Sequence, residues 1–91
     1  MKARARIIVS GRVQGVAFRA AAQGEAYRLG ISGWVRNCED GDLEALAEGE
    51  KEQVLLFIEF CRRGPRFARV SGVEVRWEEA REELASFDIR G

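Results

Sequence analysis

The segment Gly11-Arg12-Val13-Gln14-Gly15-Val16-Ala17-Phe18-Arg19 joins the first apolar stretch of the chain to the first helical pattern. An arginine opens that helix although the N-terminal turn of a helix favours Asp or Glu. No Ser, Thr, Asp or Asn caps it either. A segment that departs twice from the residue preferences of a helix N-terminus is a candidate functional site. The glycines leave main-chain N–H groups available beside a helix N-terminus and a guanidinium. Together these groups predict a pocket for a phosphate-sized anion.

A strand precedes this segment and a helix follows it. Ala5, Ile7 and Val9 alternate with polar neighbours, which predicts a strand with one buried face. The helix is predicted from apolar residues at helical spacing, with Gly30 as its C-terminal stop. These apolar positions are Phe18, Ala22, Ala26 and Leu29.

The middle of the chain predicts a hairpin and a second helix. Residues 31–37 read as a strand, and Glu39-Asp40-Gly41 is a turn signal before the returning strand. The inward side of that returning strand comprises Leu43, Ala45 and Ala47. Val54, Phe57, Ile58 and Cys61 then mark an amphipathic helix that closes at Gly64-Pro65.

Two further strands complete the pattern. Val73, Val75 and Trp77 alternate with charged residues, while Val70 lies out of phase with them and predicts a bulge at Ser71-Gly72. A short last strand contains Phe87 and Ile89.

The element order β-α-β-β-α-β with an added terminal strand predicts an α+β, ferredoxin-like sandwich. We expect an antiparallel sheet with two helices on one face and a short extra C-terminal strand. The 91 residues form a single domain, 1–91, because they suffice for one thin core only.

Composition narrows the function classes. Fifteen Lys and Arg balance fifteen Asp and Glu, so no global basic field attracts nucleic acid. No apolar run approaches the ~20 residues of a membrane span, and no secretion signal is apparent, so we expect a cytoplasmic protein. The chain has no histidine, which removes Ser-His-Asp and Cys-His catalysis. Cys38 and Cys61 are too few for a structural zinc site, and we expect reduced thiols although one disulfide is possible.

Several motifs resemble the acylphosphatase family, and the resemblance extends over essentially the whole chain. They are the segment 11–19, Leu29-Gly30, Gly33-Trp34-Val35-Arg36-Asn37, Asp40-Gly41, Gly49, Gly64-Pro65, Ala68-Arg69-Val70 and Phe87-Asp88-Ile89-Arg90. The resemblance implies hydrolysis of acyl phosphates to a carboxylate and inorganic phosphate, without a metal, a cofactor or a phosphoenzyme.

Carried over by position, Arg19 resembles the family's phosphate-binding arginine and Asn37 its water-orienting asparagine. Taken alone, Arg19 reads as a solvated helix residue and Asn37 as the end of a strand; the motifs around them favour the functional reading. We expect the main-chain N–H groups of the loop to hold the remaining phosphate oxygens. That loop comprises Gln14, Gly15, Val16, Ala17, Phe18 and Arg19.

The expected partner is a small acyl phosphate, with inorganic phosphate as product inhibitor and the protein as a monomer. One alternative is a non-catalytic phosphate or carbamoyl-phosphate binding module, as in a hydrogenase-maturation carbamoyltransferase. The chain ends without zinc-finger cysteines, which favours a free-standing enzyme. Another alternative is an RNA-binding domain, which needs aromatic residues on the central strands. The residues at 5, 7 and 9 and at 43, 45 and 47 are not aromatic, so we expect no nucleic acid partner.

Overall fold

Five strands and two helices make up the chain in a computed structural model that describes residues 1–91. In chain order they are β1 (Lys2–Arg12), α1 (Phe18–Leu29), β2 (Ser32–Asn37), β3 (Leu43–Glu50), α2 (Lys51–Arg63), β4 (Arg69–Glu78) and β5 (Phe87–Arg90). Neither helix has the length and apolar character needed to cross a bilayer.

The strands form one sheet in the order β4-β1-β3-β2-β5. The first four pair antiparallel, as the ferredoxin-like arrangement predicts. The added strand β5 runs parallel to β2, with Gly33 opposite Phe87 and Val35 opposite Ile89, so the complete sheet is mixed. This pairing brings the end of the chain next to Asn37, at the same end of the sheet as the loop after β1.

Both helices pack on one face of the sheet. The four positions that predicted α1 are its buried residues, because the helical spacing places them on one side. Phe57 of α2 lies 5.5 Å from the ring of Phe87, measured between centroids, and this contact ties α2 to β5. Cys61 is fully buried between these layers.

The other face of the sheet carries an ion-pair network instead of an open surface. Arg4 and Arg6 of β1 pair with glutamates of both neighbouring strands. These partners are Glu44 and Glu48 of β3 and Glu78 of β4. Residues 79–86 cover part of it, since the N–H groups of Arg81 and Glu82 both donate to Glu48 Oε2.

The strand residues that were considered for stacking with RNA bases lie on the inner face of the sheet, not on its outer face. Residues 5, 7 and 9 of β1 and 43, 45 and 47 of β3 lie in the core, so they could not meet RNA whatever their type. The outer face is the relevant one. On β1 it carries the two arginines, and on β3 it carries Glu44, Leu46 and Glu48, so the central strands present no aromatic residue there.

The predicted bulge is present in β4. Ser10 pairs with Gly72 and Gly11 with Val70, which leaves Ser71 without a partner across the sheet. The bulge brings β4 so close that a Cβ on Gly11 would lie 2.2 Å from the carbonyl oxygen of Arg69. Gly11 is therefore required by this approach of two backbones, whereas Gly15 is required by its positive φ in the loop.

Gly24 in the middle of α1 has no comparable reason to be glycine. It is exposed, and a Cβ added there would meet no atom within 4 Å. We expect Gly24→Ala to raise the free energy of unfolding by about 1 kcal/mol, because alanine restricts the unfolded chain and suits a helix better. Urea unfolding measures the change. Gly33→Ala is the matched contrast, because a Cβ there would lie 1.7 Å from the Leu46 carbonyl oxygen and should destabilise the protein.

Candidate active site

The loop between β1 and α1 has an unusual backbone. Gly15 adopts φ 73°, and Ala17, which precedes the first residue of α1, adopts φ 60°. A left-handed conformation at a residue other than glycine costs on the order of 1–2 kcal/mol. No side chain caps α1, and its first turn contains no acidic residue. The loop therefore presents its own backbone at a positively polarised helix end.

The N–H groups of this loop are free of protein acceptors. None of the main-chain N–H groups from Gln14 to Arg19 donates to a carbonyl or a side chain of the protein. Successive unbonded N–H groups around left-handed residues form a concave site that favours anions. The backbone part of the predicted phosphate site thus has the donors it needs.

Arg19 and Asn37 line the same cavity, although they lie on α1 and at the end of β2. The cavity has a volume of about 230 Å³. Its wall also includes Gly15, Ala17 and Phe18 of the loop segment. The remaining lining residues are Val13, Ala20 and Ile89. The sequence predicted Ile89 as part of the last strand but not as a residue of the site, because only the parallel pairing of β5 with β2 brings it here.

The side chain of Arg19 is anchored at one of its nitrogens. Its Nη1 donates a 2.7 Å hydrogen bond to the main-chain oxygen of Gly91. A second bond between α1 and the end of the chain runs from Gln23 Nε2 to the Phe87 oxygen at 2.8 Å. No Asp or Glu carboxylate lies within 4 Å of Arg19, so no acidic side chain competes with a bound anion for its guanidinium.

Asn37 carries an unpartnered polar atom. Its Oδ1 is buried and accepts no hydrogen bond, and it is the only buried side-chain nitrogen or oxygen of the protein in that condition. A buried acceptor without a donor costs free energy, and such groups occur where a ligand or water completes them. Asn37 Oδ1 is therefore suited to accept a hydrogen bond from a molecule in the cavity.

Sequence reasoning used Gln14 only for its backbone and missed its side chain. Gln14 Nε2 donates to the carbonyl oxygens of Cys38 and Asp42, at 2.8 and 2.9 Å. These bonds attach the loop after β1 to the turn between β2 and β3. The glutamine therefore sets the distance between the loop amides and Asn37, which immediately precedes Cys38.

Replacing Gln14 by leucine tests this link. We expect Gln14→Leu to lower the free energy of unfolding by about 1–2 kcal/mol, because both hydrogen bonds are lost. The loop should also bind inorganic phosphate more weakly, which isothermal calorimetry measures. Gln53→Leu is the control, since Gln53 lies on α2 away from the loop. Unchanged phosphate affinity in Gln14→Leu would show that the loop holds its shape without this side chain.

Both thiols are free, and neither is activated. Burial raises the pKa of the Cys38 thiol, although Arg36 opposes the shift. Burial also raises the pKa of Cys61 to about 12. Because the thiolate is the reactive form, Cys38 is protonated at neutral pH and is not equipped to act as a nucleophile beside the cavity.

Comparison with known proteins gives one consistent result. A family model named Acylphosphatase matches residues 5–89. An acylphosphatase of Anaeromyxobacter dehalogenans is 54% identical over 89 residues, which are 98% of this chain and 96% of that protein.

Solved structures agree with the sequence comparison. The crystal structure of acylphosphatase from Bacillus subtilis has a TM-score of 0.94 and 40% identity, and all of both chains is covered. A structure of full-length HypF in a phosphate- and nucleotide-bound form has a TM-score of 0.90 and 28% identity. That match covers all of this chain but 12% of HypF.

Proposed function

Because the chain belongs to the acylphosphatase family, we propose that it hydrolyses the carboxyl-phosphate bond of acyl phosphates. In this proposal Arg19 and the loop amides hold the phosphoryl group, and Asn37 orients the attacking water. The observation that carries it is one cavity lined by an arginine without an Asp or Glu partner, a loop of unbonded amides and an unpartnered asparagine oxygen.

Arg19 and the loop divide the phosphoryl oxygens between them. The guanidinium can hold two oxygens in a planar fork, and the N–H groups of residues 14–19 can take the others. Phosphoryl transfer depends mainly on positioning and on stabilising charge, which fixed donors supply without reorganising. The bond from Arg19 to Gly91 contributes by restricting the guanidinium before substrate binds.

Asn37 Oδ1 provides the acceptor that a water needs. When it accepts a hydrogen bond from the water, a lone pair of the water oxygen is free to face the phosphorus atom. The acceptor is buried and has no other partner, so a water there would satisfy it.

The remaining proton requires no side chain. The leaving carboxylate has a conjugate-acid pKa of roughly 4, so it departs unprotonated. The cavity is lined by no Asp, Glu or His, and we propose that an oxygen of the transferred phosphoryl group takes the water's proton. The O–P bond of the new phosphate forms as the bond from phosphorus to the carboxyl oxygen breaks.

Removing the carboxamide should lower turnover more than binding. We expect Asn37→Ala to reduce kcat for benzoyl phosphate by about 10²–10³, because the water is no longer positioned. The dissociation constant for inorganic phosphate should change little, since Arg19 and the amides remain. Steady-state kinetics and calorimetry separate the two effects. A kcat close to that of the unaltered protein would remove Asn37 from the mechanism.

Hydrolysis of benzoyl phosphate in the presence of EDTA is the direct test of the proposed function. We expect activity to persist with the chelator and inorganic phosphate to inhibit competitively. Gel filtration is expected to give the mass of a single chain. Absence of hydrolysis, or activity that disappears with the chelator, would contradict the proposal.

A non-catalytic binding module is the second candidate, and the similarity to a 12% portion of HypF is the observation behind it. Such a module would bind inorganic phosphate in the same cavity without hydrolysing an acyl phosphate. Phosphate binding without turnover in the same protein preparation would favour this candidate.

A further inference from the structure

A second cavity adjoins the loop, and it is lined by arginines. It has a volume of about 520 Å³ and shares Gly15 with the cavity that contains Arg19. Its cationic residues are Arg12, Arg66 and Arg69. The other lining residues are Val16, Phe67 and Ala68.

Two of these arginines are placed directly opposite each other. Arg12 at the end of β1 and Arg69 at the start of β4 are register partners beyond the bulge. Opposed residues of an antiparallel pair lie on one face with their Cβ atoms roughly 5 Å apart, and like charges there repel. The sequence places two cations where a pair of opposite charges, or of apolar residues, would stabilise the sheet.

No carboxylate relieves this repulsion. Seven of the thirteen arginines have a carboxylate within 4 Å, and the three in this cavity do not. Arg66 instead lies over the ring of Phe67, which is 68% exposed, at 5.4 Å from the ring centroid. Uncompensated cations in a concave site form a place where an anion is favoured.

We propose that Arg12, Arg66 and Arg69 form a second anion subsite, which takes a carboxylate or phosphoryl group carried by the acyl part of the substrate. The proposal rests on the proposed function, because it assumes that the loop holds the reacting phosphoryl group. Gly15 lies in the walls of both cavities, so a short acyl chain can leave the loop and reach the arginines. The preferred substrates are then acyl phosphates with an anionic acyl group.

Stable phosphonates test the subsite by binding alone. One series consists of ω-carboxyalkylphosphonates of increasing chain length, and each is matched by the alkylphosphonate with a methyl group in place of the carboxylate. Their phosphonate groups should compete with inorganic phosphate for the loop. At one chain length, we expect the carboxylated probe to bind about tenfold more tightly at low ionic strength. The preference should shrink as salt screens the exposed charges.

Variants assign that preference to the arginines. In the double variant Arg66→Gln, Arg69→Gln, the ratio of the two dissociation constants should approach one. Arg76→Gln is the control, because Arg76 lies on β4 outside this cavity and pairs with Glu74. Its ratio should equal that of the unaltered protein.

Two results would overturn the subsite. One is a ratio near one, or no binding of the carboxylated probe, at every chain length in the unaltered protein. The other is a preference that persists in the double variant. Failure of the proposed function is distinguishable, because benzoyl phosphate has a neutral acyl group and its hydrolysis does not require the subsite.

Discussion

Replacing Arg19 by alanine should lower kcat/KM for benzoyl phosphate by at least about 10³, the largest effect on activity expected for this protein. Arg19 is the only cationic side chain in the wall of the cavity that contains Asn37. Its loss removes both the charge and the planar pair of donors for the phosphoryl oxygens. Inorganic phosphate should also cease to bind measurably, because the loop amides alone are left to hold it.

Two further variants distinguish the role of the Arg19 guanidinium from the effect of its charge alone and from the loss of any arginine of α1. Arg19→Lys keeps the charge but not the fork of donors, so its activity should lie between the two extremes. Arg28 lies at the other end of α1, where it pairs with Glu25 on the surface. The variant Arg28→Ala should therefore leave kcat/KM unchanged. An Arg19→Ala protein that folds and retains more than a tenth of the activity would exclude Arg19 as the phosphate-binding group.

Replacing Glu48 by alanine should lower the free energy of unfolding by about 3–5 kcal/mol, the largest loss of stability expected from one charged side chain here. Glu48 is 2% exposed and Arg4 is 6% exposed. The carboxylate pairs with Arg4 Nη1 at 3.3 Å and accepts the N–H groups of Arg81 and Glu82 at 2.6 and 3.0 Å. Its removal leaves a buried guanidinium undercompensated and releases the segment that covers the sheet.

Urea unfolding measures this loss, with Glu74→Ala as the control. Glu74 also pairs with an arginine, but its side chain is 59% exposed, and exposed pairs contribute ~1 kcal/mol or less. If Glu48→Ala leaves too little folded protein, Glu48→Gln keeps the size of the side chain and part of its hydrogen bonding. A loss below 1 kcal/mol in Glu48→Ala would contradict the importance assigned to this network.

Sequence reasoning could predict a candidate site because its residues lie close together in the chain or within recognisable motifs. The segment from Gly11 to Arg19 contains its own signal, namely glycines followed by a misplaced cation. Asn37 entered only through the resemblance of its surrounding motif to a family. The role of the Gln14 side chain and the position of Ile89 were missed, because the first depends on a contact with the hairpin turn and the second on strand pairing.

The buried faces of the two helices were predictable for a related reason. Buried residues of α1 and α2 repeat with the period of the helix itself, so a few apolar positions reveal both the element and its inner face. Strand β3 was predicted with one buried face, yet every residue from Leu43 to Gly49 is buried. Its second face is covered by the ion-pair network and by residues 79–86, which are distant in sequence.

The amino-acid order by itself therefore determined which segments are helix and strand and the bulge opposite Gly11, and it predicts an anion site at the first loop. These depend on periodicity, glycine conformation and charge within a few residues. Tertiary structure alone decided the parallel pairing of β5, the hydrogen bond from Arg19 to Gly91 and the opposition of Arg12 and Arg69. Those contacts join residues more than fifty positions apart, and the energy that selects them comes from the packing of the whole sheet.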